Sequence, residues 1–174
     1  MSMMTWFYTM PKNKIDELIE AAKPEIKEVE KGFLFFKRRE KQVSWDRFWD
    51  FLDEFGTEQS DYEYSARAFL DFDLILMDKE RMIWDFSDQE ISKTLTETRK
   101  TSIAVFDKSS ADDVLIMLHS IEINKSEIEE YLKDENLSPD DLSLMNEAIF
   151  AAYEKALEWF SLIGDDEIGI LMYS

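Results

Sequence analysis

From Ser138 to Ile163 the chain is apolar around most of a helical circumference, and this segment constrains the fold more than any other. Leu142, Leu144, Met145, Ile149, Phe150, Tyr153, Leu157, Phe160 and Ile163 spread widely around the wheel, while Ser143, Glu147, Glu154, Glu158 and Ser161 crowd a narrow strip. Ser138 and Pro139 supply a cap and a first helical residue whose fixed φ suits that position. A helix of this kind needs cover on most sides, so it is expected to be the core spine, with Leu157 and Phe160 buried.

The cover is predicted to be a small sheet and several amphipathic helices. Met3 to Tyr8 and Ile168 to Tyr173 are short, bulky, β-prone runs at the two ends of the chain. Apolar runs at Leu74–Met77, Met82–Phe86 and Ile103–Phe106 also read as strands, and Phe33 to Phe36 as a buried strand. Between them, Ile15, Leu18, Ile19 and Ala22 mark a helix opened near Pro11 and interrupted at Pro24. Trp45, Phe48, Trp49, Phe51, Leu52 and Phe55 share the face of another, closed by Gly56.

Five serines are followed three residues later by an acid, and each pair predicts a helix start: Ser60 with Glu63, Ser87 with Glu90, Ser110 with Asp113, Ser126 with Glu129, and Ser138 with Asp141. The expectation is one α+β domain over residues 1–174, with the N- and C-terminal strands in the same small sheet.

Composition narrows the function. The 39 acidic residues outweigh 20 basic ones, giving a net charge of -19. Such a surface repels phosphate backbones and anionic lipid, so neither nucleic acid nor membrane is the expected partner. The basic cluster Lys37, Arg38, Arg39 and Lys41 reads as a solvated strand end. With no cysteine, thiolate chemistry and cysteine metal sites are absent, and no targeting or spanning segment is visible, which predicts a cytoplasmic protein.

Four glycines form no phosphate loop or dinucleotide fingerprint, so no cofactor is expected. The one histidine, His119, falls at the end of an apolar helix, where capping suits it better than catalysis. The carboxylate pairs Asp112–Asp113 and Asp140–Asp141 fall in first helical turns, and Asp71, Asp73 and Asp78 lack the glycine and terminal glutamate of a calcium loop.

Met3 to Tyr8 leading into Ile15, Asp16, Glu17, Leu18 and Ile19, the tryptophan-rich stretch Trp45 to Leu52, and a long helix ending in the Ile168–Tyr173 run carry a resemblance. In these patterns the chain resembles the YfbM-like family of small bacterial proteins of unknown function. The resemblance covers the two ends better than the middle. It implies an α+β domain with adjacent terminal strands and brings no catalytic residue.

The expected function is that of a non-enzymatic, acidic protein-interaction domain, such as an immunity protein or inhibitor, that binds a basic protein partner. Trp45, Trp49, Asp46, Asp50 and Asp53 are the candidate partner-binding residues, tryptophans as anchors and carboxylates as the complementary charge. The alternatives are a carboxylate-dependent, divalent-metal hydrolase, or a housekeeping domain whose acidity serves solubility.

Overall fold

The computed structural model describes residues 4–31, 38–59, 62–79, 81–121, 123–133, 135 and 137–173, and for 26–31 and 38–45 it describes the backbone. Strands β1 (Thr5–Pro11), β4 (Thr57–Glu58), β5 (Ser102–Asp107) and β6 (Glu167–Tyr173) form one antiparallel sheet in the order β4-β1-β6-β5. The first and last strands are partners along their whole length, from Thr5 opposite Tyr173 to Pro11 opposite Glu167. A second sheet, the antiparallel hairpin of β2 (Glu25–Lys31) and β3 (Arg38–Trp45), sets Glu28 opposite Lys41 and Glu30 opposite Arg39. The chain is therefore an α+β domain.

Helices cover the main sheet on both faces, which is why its strands read as continuous apolar runs rather than alternating ones. Phe7, Ala104, Phe106, Leu171 and Tyr173 point to one side, into a core built with α3 (Ala66–Lys79), α5 (Lys108–Ser120), α6 (Lys125–Leu132) and α7 (Pro139–Ser161). Tyr8, Met10, Ile103, Val105, Ile168, Ile170 and Met172 point to the other, against α1 (Ile15–Ala21), α2 (Arg47–Phe55) and α4 (Gln89–Arg99). Trp159 of α7 stacks between Phe7 and Phe69, with ring centroids 5.3 and 5.6 Å away. Gly169 lets α7's end approach the sheet. A Cβ there would collide with Ile163 and stand 2.8 Å from Phe7 Cζ.

The outer edge of β5 is closed by side chains of α4. Val105 N–H donates to Ser92 Oγ at 2.9 Å, and Thr96 Oγ1 accepts from Ile103 N–H at 3.0 Å while donating to its carbonyl at 3.1 Å. Hydroxyls thus satisfy ladder groups that would otherwise template another strand.

Several expectations need correction. Leu74–Met77 is not a strand but part of α3, whose Phe69, Phe72 and Leu76 follow helical spacing into the core. Ile83–Phe86 is a 3-10 turn, pinned where Ile83 N–H donates to Asp73. Pro11 ends β1, and a 3-10 turn over Lys12–Lys14 separates it from α1. Phe33 to Phe36, Ser60 and Lys37 lie outside the described residues.

Of the predicted starts, Ser138 caps α7 with Pro139 at its first position. At three other helices the cap is an Asx near the predicted serine: Asp88 for α4, Asp107 for α5 and Asn124 for α6. Ser65, accepting from Arg67 N–H at 3.2 Å, stands at the start of α3. Among the described residues no helix is long and apolar enough to cross a membrane.

Candidate interaction surface

Helix α2 carries most of the residues singled out by sequence. Its apolar stripe, Phe48, Phe51 and Leu52, is buried against the sheet, which leaves Asp50, Asp53 and Glu54 exposed on the opposite side. Trp49 is half-buried. Its ring lies 5.7 Å from Trp6 and 5.5 Å from Phe48, so it belongs to the edge of the core.

Asp46 is not on the acidic face. It is the N-cap of α2, accepting from Phe48 N–H at 3.2 Å, and Arg99 from the end of α4 grips both its oxygens at 2.7 and 2.6 Å. Arg99 also lies 4.7 Å from the Phe48 ring centroid. The Arg99 hydrogen bonds hold the Asp46 carboxyl below the usual range, helped by the Phe48 amide and opposed by burial. Trp45, expected on the helix, is the last residue of β3 and is described by its backbone. Of the five candidates, Asp50 and Asp53 share an open face, Trp49 packs beside the core, and Asp46 is committed internally.

The electrostatic balance of the surface follows from who is paired. Among the described residues, Lys12, Lys14, Lys23, Arg67, Lys79, Lys93, Arg99, Lys108, Lys133 and Lys155 each meet a carboxylate within the chain. Asp50, Asp53, Glu54, Asp140, Glu147, Glu154, Asp165 and Asp166 are exposed and make no ion pair among the described residues. The cations are largely spent on the molecule itself, and the surplus anions face outward.

The carboxylates considered for metal chemistry are dispersed. Asp71 is buried and bound to Arg67 Nε at 2.9 Å, while Asp73 faces the 3-10 turn; among the described residues no group of three histidines or acids is placed to hold a metal ion. His119 is in the last turn of α5 and exposed. A cleft of about 310 Å³ beside α4, walled by Trp84, Gln89, Ser92 and Thr96, looks polar enough for a ligand. Three of its polar side chains are committed within the chain: Gln89 donates to the Trp84 and Ser87 carbonyls, and Ser92 and Thr96 close the β5 edge.

On α7, Leu157, expected buried, is half-buried, and Leu144, on the apolar circumference of the predicted spine, is 59% exposed. No protein-family model, no curated protein and no solved structure matches this chain.

Proposed function

We propose that this chain is a non-enzymatic, acidic protein-interaction domain of the cytoplasm, an inhibitor or immunity protein in kind, that engages a basic protein partner. The observation that carries this reading is the division of charge. Helix caps and ion pairs account for acids such as Asp46, Asp88 and Asp107, yet Asp50, Asp53 and Glu54 remain uncommitted along α2. Concentrated charge of one sign steers an oppositely charged partner and raises its association rate, an effect screened over a Debye length of ~8 Å at physiological ionic strength. The kinship with YfbM-like proteins is part of the same proposal and leaves the acid surface as the ground for function.

The test is kinetic. Partners captured from the native cytoplasm are measured against the wild-type chain and the triple variant Asp50→Asn, Asp53→Asn, Glu54→Gln at low and raised salt. The expected result is a basic protein whose association rate falls with salt and with the variant, while dissociation changes less. Capture of no basic protein at low salt, or association indifferent to salt, refutes the reading.

A further inference from the structure

Between the start of α3 and the first turns of α7 lies an open groove of about 280 Å³. Tyr64 and Ala68 form one wall, and Leu144, Met145 and Ala148 the other, with Leu137 at the end. Its lining is apolar, yet it opens to solvent: Leu144 is 59% exposed and Leu137 36%. Ala148 is buried at its floor.

Helical geometry sets acid along the α7 border of this groove, with Lys125 beside Glu147 in the neighbouring hollow. Residues three and four apart share a helix face, so Asp140, Asp141 and Glu147 stand one turn from Leu144. Asp141 itself lines the groove, and Glu63 precedes Tyr64. All four are exposed. The nearest cation along α3, Arg67, is occupied by Asp71.

We propose that this groove is the docking site for the basic partner, receiving one aliphatic or aromatic side chain from a lysine- or arginine-rich segment whose cations meet Asp140, Asp141 and Glu147. The inference rests on the acidic-domain reading and adds a place and a recognition chemistry to it. At about 280 Å³ the groove stands at the low end of the roughly 300–1,000 Å³ of ligand cavities and has room for one large side chain. An apolar anchor inside a charged rim is also how interface energy is usually concentrated. A second copy of this chain fits poorly, because a symmetric contact brings the same patch to itself and would press Asp140, Asp141 and Glu147 against their equivalents.

The probes are two fluorescent helical peptides of identical lysine content, one with leucines along one face and one with serine replacing each leucine. Wild type should prefer the leucine peptide about tenfold, a difference of about 1.4 kcal/mol. Leu144→Asp should remove the preference. That substitution adds an anion, so a loss of binding to a cationic peptide reports the apolar contact and not the charge. As Leu144 is exposed, the variant is expected to keep the wild-type thermal midpoint.

Amide shifts on adding the leucine peptide should cluster at Tyr64–Ala68 and Leu137–Ala148. A leucine preference that survives Leu144→Asp, or shifts confined to another face, overturns the docking site. If both peptides still bind with strong salt dependence in that case, the acidic-domain reading stands without it. If neither binds at low salt, both fall. Concentration-dependent dimerisation of wild type that Leu144→Asp abolishes assigns the groove to a second copy and overturns the basic occupant.

Discussion

Asp73 should make the stability of this protein depend on pH near neutrality, in a direction opposite to that of an ordinary ion-paired carboxylate. It is fully buried on α3, where Oδ1 accepts from Ile83 N–H at 2.6 Å and Oδ2 has no hydrogen-bond partner. Burial pushes its carboxyl from 3.8 up to about 7; the Ile83 amide pulls the other way, and nearby Asp85 adds to the rise. Tyr173, also buried, presents a hydroxyl without a partner and offers no compensating positive charge.

Because the folded carboxyl holds its proton more tightly than the unfolded one, its contribution is fully present below pH ~4 and is lost as pH rises through about 7. The whole swing is about 4 kcal/mol, of which about 2 kcal/mol falls between pH ~5.5 and ~8.5. His119, the single histidine, is common to wild type and variant, so the difference between their pH slopes isolates Asp73.

The perturbation is Asp73→Asn, which keeps an acceptor for Ile83 N–H and removes the charge. Denaturant unfolding should show wild type losing about 2 kcal/mol across the window, or roughly 4–8 °C in Tm, while the variant changes little. Equal pH slopes in the two proteins would refute the assignment of a buried, proton-binding carboxyl.

Three further outcomes follow from packing and hydrogen bonding, each read by denaturant unfolding. Phe160→Ala should cost about 3–5 kcal/mol, because Phe160 is fully buried and its ring packs 4.8 Å from Phe106; Leu157→Ala, half-buried, should cost clearly less. Asp46→Ala should cost about 1–3 kcal/mol, through loss of the α2 cap and of the bidentate partner of Arg99, whose side chain is mostly buried. Ser92→Ala should cost about 1–3 kcal/mol by stranding the buried Val105 N–H, and hydrogen exchange at Val105 should rise.

What the sequence exposed and what it hid divide along the range of the interactions involved. The runs at Ile103–Phe106 and Ile168–Tyr173 were legible because strands covered on both faces are apolar at consecutive positions. The hairpin was not: β2 spaces Ile26 and Val29 three apart among charges, so it lacks the two-residue period that announces a strand. Leu74–Met77 misled because a short apolar run carries no period of its own, and only α3's longer context decides it. Serine–acid pairs mark only part of the helix starts, because aspartate and asparagine cap as well, and in α4, α5 and α6 they do. The role of Asp46 depends on Arg99, 53 residues later, a pairing that no local pattern encodes.

The exposure of Leu144 has a geometric cause. Helix α7 has 23 residues and is about 35 Å long, whereas the seven-residue strand β6 runs only about 23 Å. Only the last turns of the helix meet the sheet, where Trp159 and Phe160 pack on Phe7 and Phe106; the rest lies along α3, α5 and α6, and no residue of α7 before Asn146 is buried. A wheel diagram counts apolar positions and cannot tell which turns have cover. Solubility alone would favour polar residues in uncovered turns, particularly in a chain that otherwise carries so much charge. Leucine at 144, in a groove walled by Tyr64 and Met145 and one turn from three acids, is the arrangement on which the proposed docking of a positively charged partner rests.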